Sequence, residues 1–226
     1  MSEQEPALPL FAGLPRGTIP GDEPLILASG SPRRGQLLDA AGYVYQRMTP
    51  AEEAECGVCT KETPPETVAR LAYRKAADVV LRLRAAGRPG LVVAADTLAA
   101  CNGALLGKPV DREHAETMLR LLRGRRHHVL TGVCLWSATS GRCLVDVSLT
   151  VLQMDAVDDQ ALNAYLDTRL WEGKAGAFGY QDGIDWLEVL EGSESNVVGL
   201  PMERLAELLG RFDRDSERVE PSLSDD

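Results

Sequence analysis

Ser29-Gly-Ser-Pro-Arg-Arg34 sets two guanidinium groups beside the opening of a helix. A helix N-terminus carries unpaired N–H groups and a partial positive charge, and Gly30 lets a ligand approach the backbone, so the stretch has the make-up of a phosphate site. It is equally the make-up of an ordinary capped turn with two solvated arginines. Two more cations, Lys75 and Lys108, and two carboxylates, Glu53 and Asp96, complete a set suited to phosphate chemistry. In such chemistry cations neutralise oxyanions, carboxylates hold a divalent metal, and one carboxylate orients or deprotonates water.

Other chemistries lack their residues. The three histidines, His114, His127 and His128, have no zinc-ligand spacing, and no serine sits in a nucleophile elbow. Gly107-Lys108 and Gly173-Lys174 are followed by Pro109 and Ala175, so neither is a Walker A loop, and Gly173, Gly176 and Gly179 do not form a dinucleotide fingerprint. Cys56-Gly-Val-Cys59 has the look of a redox or zinc half-site. Its surroundings, Glu52, Glu53 and Glu55, disfavour thiolates, and Cys134 and Cys143 make no second knuckle.

The elements that must position these residues are legible in turn. Leu25–Ala28 reads as a strand, Ser31 as the N-cap of the next helix, Pro32 as its first residue and Gly42 as the residue beyond its end. Residues 43–48 read as a strand and the acidic stretch 50–61 as a loop. Thr63-Pro-Pro-Glu66 is a capping box, opening a helix that runs to Gly87 with Val68, Leu71, Ala72, Ala76, Val79, Val80 and Leu83 on its apolar face. Lys75 falls on the same stripe, as a snorkelling lysine or one aimed at an anion. Leu91–Ala95 reads as a buried strand with Asp96 at its carboxyl end, where open α/β sheets bind ligands. Asn102-Gly103 marks a hairpin, Asp111 caps a helix that ends at Gly124, and 128–136 with 143–154 form an antiparallel pair. Asp158 caps a short helix, 173–183 is a glycine-rich loop, 186–190 a strand and 201–212 the last helix. The fold class is α/β, with a mixed twisted sheet flanked by helices.

With 226 residues, 44% of them hydrophobic, the chain can bury a substantial core, and a net charge of −10 argues against a nucleic-acid or anionic-membrane surface. No apolar run approaches the ~20 residues of a membrane span, and Ala7–Leu14 has no basic leader, so a cytoplasmic protein is expected. Residues 1–23 read as a mobile N-terminal extension, 24–212 as one domain and 213–226 as an acidic tail.

Several blocks, in order, carry a family resemblance: Leu27-Ala-Ser-Gly-Ser-Pro-Arg-Arg34, Ala95-Asp-Thr97, Leu106-Gly-Lys-Pro109, His128 to Gly132, Trp171-Glu-Gly-Lys-Ala-Gly-Ala177, Gly179-Tyr-Gln181 and Ser195-Asn-Val-Val-Gly-Leu-Pro201. The sequence resembles the Maf nucleoside triphosphate pyrophosphatases over about 25–209. The resemblance implies a nucleotide cleft between two lobes and hydrolysis between the α and β phosphates, with Mg²⁺ or Mn²⁺. It makes Asp96 the catalytic carboxylate and a metal ligand, with Glu53 as a second. Ser29, Ser31 and Arg33 would contact phosphates or nucleotide, and Lys75 and Lys108 would neutralise charge. Thr97 after the aspartate resembles the dTTP/UTP branch rather than the 7-methyl-GTP branch. Gln181 matches a base-reading glutamine, whose amide both donates and accepts. A homodimer is implied, and a non-enzymatic nucleotide-binding role in septum formation is the alternative. Two departures stand out: the metal-loop acidic pair lies within Glu52-Glu-Ala-Glu55, and Glu194 replaces an aromatic before Ser195-Asn196.

Overall fold

The computed structural model describes residues 11–55 and 62–214, apart from the side chains of Glu53, Glu55, Asp213 and Arg214. Cys56 and Cys59 lie outside the described residues. Among the described residues, seven strands make one mixed sheet in the order β2-β1-β3-β5-β6-β7, with β4 paired to β3. β1 (Leu25–Ala28) runs parallel to β2 (Tyr45–Arg47) and β3 (Leu91–Cys101), and the rest is antiparallel: β4 (Ala104–Leu106), β5 (Arg126–Ser137), β6 (Cys143–Met154) and β7 (Leu187–Glu191). The helices are α1 (Pro32–Ala40), α2 (Pro64–Ala85), α3 (Arg112–Leu122), α4 (Asp159–Asp167), α5 (Glu194–Val198) and α6 (Met202–Arg214). No helix among the described residues is long and apolar enough to cross a membrane.

Helix α2 covers one face of the sheet. Its start is fixed by the Glu66 carboxylate, which accepts from the Thr63 N–H at 2.8 Å and the Thr63 hydroxyl at 2.7 Å. Its whole apolar stripe is buried, and Ala72, Ala76, Val79 and Val80 pack on Ile26, Val92, Ala94 and Cys134. Gly132 of β5 lets the helix lie that close: a Cβ there would stand 2.2 Å from the Val68 carbonyl oxygen.

The opposite face carries two cores. Near the amino end of β3, Val93 and Ala95 join Leu37 and Leu38 of α1 and Leu205, Leu208 and Leu209 of α6. Near its far end, Ala99 and Cys101 join Met118 and Leu119 of α3 and Leu162 and Tyr165 of α4. Between them, on the same face, the row Val93, Ala95, Thr97, Ala99, Cys101 turns polar at Thr97, and β5 does the same at Thr131, which is paired with it. The cleft between the lobes follows this seam. Phe11, from the stretch set aside in the sequence as an extension, is buried in the first core, and the Gly17 N–H donates to Tyr43 Oη at 2.7 Å.

The strand carrying Asp96 differs from expectation. Leu91–Ala95 is not a short strand with Asp96 at its end: β3 runs unbroken through Asp96 and Thr97, because β5 pairs with it from Leu91 to Ala100. On its other edge β1 pairs only as far as Ala94, and β4 only from Ala99 to Cys101. Residues 95–98 therefore face a gap between two strands that run toward each other along one edge. The carboxyl-end rule still holds, through the end of β1. The β3–β4 turn is as read, with Asn102 and Gly103 at φ of 50° and 79°.

Candidate active site

Both strand ends at the gap peel away into cationic loops. After β1 come Ser29, Gly30 and Ser31, then the first turn of α1 with Arg33 and Arg34; after β4 come Gly107 and Lys108. Together with α2, the turn at Glu52–Glu55 and the loop 173–183, they enclose a cleft of about 500 Å³. Ser29, Ser31, Arg33, Lys75, Asp96, Thr97, Lys108 and Gln181 all line it. Glu53 belongs to the turn at its edge, but its side chain lies outside the described residues, whereas Glu52 lines the cleft.

Asp96 and Thr97, being consecutive in a strand, project to opposite faces. Asp96 meets α2, where Lys75 Nζ donates to its Oδ1 at 2.7 Å; the side chains are 14% and 5% exposed. Lys75 thus reaches a specific carboxylate, resolving its two sequence readings in favour of an anion partner. Its position follows from Gly132, which pairs with Asp96 and seats Val68 seven residues before Lys75 on the same helical face.

Thr97 enters a buried web on the other face. Its hydroxyl lies 3.0 Å from that of Thr131 and accepts from Arg34 Nη2 at 3.3 Å. Arg34 also donates through Nε to the Gly199 carbonyl at 2.7 Å and through Nη1 to Ser29 Oγ at 3.0 Å. The alternative of two solvated arginines fails for Arg34, which is 9% exposed and ties Ser29 to β3 and α5. Ser31 caps α1 by position but makes no side-chain cap bond; its N–H donates instead to Ser29 Oγ at 3.1 Å. Arg33 reaches across the cleft and donates to the Gly173 carbonyl at 2.9 Å, with burial holding its pKa below the usual arginine value.

The loop 173–183 forms the far wall. Lys174 is paired with Asp182, and burial pushes the lysine pKa down while Asp182 pulls it up. Gly179 leaves room for that pair, since a Cβ there would meet both partners. Tyr180 Oη donates to Glu194 Oε1 at 2.8 Å, and burial with this carboxylate pushes the phenol up to about 12. The unusual Glu194 thus latches the rim. Asn196 is buried, donating to the Val129 carbonyl at 3.1 Å and Thr150 Oγ1 at 2.9 Å, so it braces α5 against the sheet. Sequence reasoning missed α5 altogether, a helix of five residues.

The profile described as "Maf-like protein" covers residues 24–212. The chain belongs to the Maf family. One Maf relative, the dTTP/UTP pyrophosphatase of Rhodopirellula baltica, is 60% identical over 91% of this chain and 92% of its own length. The dTTP/UTP pyrophosphatases of Pelotomaculum thermopropionicum and Salinibacter ruber are each 42% identical, over 83% and 80% of this chain and 96% and 87% of their own. The family's mixed α/β sheet is the one described above, and the Maf blocks read in the sequence converge on its cleft.

Proposed function

We propose that this chain hydrolyses dTTP and UTP between the α and β phosphates, releasing a nucleoside monophosphate and pyrophosphate. The observation that carries the reading is the Lys75–Asp96 pair at the gap in β3, with Arg33 and Lys108 entering from the two strand ends. The names of the similar proteins support the bond and the bases. A water molecule attacks phosphorus and gives its proton to the Asp96 carboxylate; the bridging P–O bond breaks and its electron pair leaves with pyrophosphate. Lys75 holds the carboxylate in place. Ser29, Ser31 and Arg33 bind the phosphates from one strand end and Lys108 from the other. Thr97 and Gln181 face the base.

A divalent cation, Mg²⁺ or Mn²⁺, suits this donor set. Among the described residues there is no group of three or more His, Cys, Asp or Glu that could hold a metal by itself. Mg²⁺, however, is commonly held by one or two carboxylates plus substrate phosphates. Asp96 and the acidic turn, with Glu52 on the cleft and Glu53 beside it, would hold the ion. Bound there it would neutralise phosphate charge.

The reading places the enzyme in the cytoplasm. It also pairs two copies: among the described residues the outer edge of β6 has no strand partner before Val151, and Val145 and Leu149 on it are exposed. Sedimentation should give twice the chain mass.

A panel of dTTP, UTP, dCTP, dATP, dGTP and 7-methyl-GTP with Mg²⁺ or Mn²⁺ tests the function. Pyrophosphate should appear fastest from dTTP and UTP. Turnover of 7-methyl-GTP alone would refute the base assignment.

A further inference from the structure

The nucleotide cleft continues past Thr97 into an apolar chamber on the same face of the sheet. Ala99, Leu122, Val129, Leu152, Phe178 and Leu187 line it, all belonging to the second core or packed against it. His127 of β5, paired with Leu152 and only 3% exposed, lines the cleft with them. His127 Nδ1 lies 3.4 Å from the Arg125 carbonyl oxygen. A carbonyl can only accept, so Nδ1 carries the hydrogen and Nε2 of the neutral ring is left with a lone pair. Burial lowers the His127 pKa, which keeps the ring neutral. Nε2 has no hydrogen-bond partner among the described residues, and it is not sealed from solvent. That lone pair, on a residue lining the cleft, is open to a ligand donor.

We propose that His127 is a specificity-determining residue, whose Nε2 accepts a hydrogen bond from the N3–H of a uracil or thymine base seated in this chamber. The inference rests on the pyrimidine triphosphate reading above. Uracil and thymine carry a hydrogen on N3, whereas cytosine, a ring of the same size, presents a lone pair there. Acceptor would then face acceptor, a mismatch that costs more than a missing contact gains. The apolar walls suit the faces of the base and the methyl group of thymine.

The test is pyrophosphate release from dTTP and dCTP by the full chain, its His127→Leu variant and its His127→Gln variant. Removing the acceptor with His127→Leu should collapse the dTTP-over-dCTP ratio of kcat/KM by about tenfold or more, through KM for dTTP with kcat little changed. His127→Gln, whose Oε1 can stand near the place of Nε2, should keep most of that ratio. An unchanged ratio in His127→Leu would overturn the inference while leaving the pyrophosphatase reading intact. Absence of turnover of every nucleotide by the unaltered chain would overturn both. Should His127→Leu not fold, ¹⁵N-histidine spectra of the unaltered protein decide: three histidines give few signals. The His127 Nε2 resonance should move upfield with α,β-methylene-dTTP and not with α,β-methylene-dCTP. Equal responses, or none with dTTP analogue bound, would refute the contact.

Discussion

Asp96 and Thr97 are neighbours in one strand, yet the two faces they meet are built differently. Among the described residues Asp96 is held by one side chain, Lys75, at the edge of an open cleft. Thr97 is held from several sides: Thr131, Arg34 and, through Arg34, Ser29 and the Gly199 carbonyl. A group that must exchange partners during a reaction benefits from few fixed bonds. A wall that must keep its shape benefits from many. On the proposed reading, the seam between the two cores is braced on the Thr97 side and reacts on the Asp96 side.

Substitutions on the two faces should separate activity from stability. Lys75→Met should lower kcat by about 10²–10³-fold, because the charge beside Asp96 and the phosphates is lost from a preorganised site. Its stability should fall by less than Arg34→Met costs, because the Asp96 carboxylate, 14% exposed at the cleft, can recover water or a proton once its partner is lost. Arg34→Met should do the reverse. It strips partners from the buried Gly199 carbonyl and Ser29 hydroxyl and should cost about 2–4 kcal/mol of stability, read by denaturant unfolding. If Lys75→Met destabilises as much as Arg34→Met, the distinction between the faces fails. Gly132→Ala should link them at about 1–3 kcal/mol, since its Cβ would collide with the Val68 carbonyl and lift α2. Loss of kcat should accompany that shift as Lys75 is carried away from Asp96; full activity in a destabilised variant would show that α2 placement does not position Lys75.

What the sequence made legible was local. The capping box at Thr63, the seven apolar positions of α2 and the Asn102-Gly103 hairpin all express their structure within a few residues, and the chain follows them. The Maf blocks brought Arg33, Asp96, Thr97, Lys108 and Gln181 to one cleft, and the apolar stripe of α2 brought Lys75 there. Arg34 was misread because its decisive partner, Gly199, lies 165 residues away and offers only a backbone carbonyl, which no side-chain pattern announces. The run through Asp96 looked broken because a carboxylate interrupts an apolar strand; ten paired residues of β5 carry it on. Phe11 escaped notice amid prolines and glycines, its burial depending on α6 at the other end of the chain. His127 carried no signal either, since its place on the cleft depends on the registers of β5, β3 and β6.

The reaction centre itself is tested most directly by ³¹P NMR of dTTP with Mg²⁺, run on the unaltered chain and on Asp96→Asn. The unaltered chain should yield dTMP and pyrophosphate in equal amounts. Asp96→Asn should still bind dTTP but convert it about 10²–10⁴-fold more slowly, the range for losing a positioned proton acceptor. Orthophosphate as the first product, or Asp96→Asn turning over dTTP at an undiminished rate, would contradict the account.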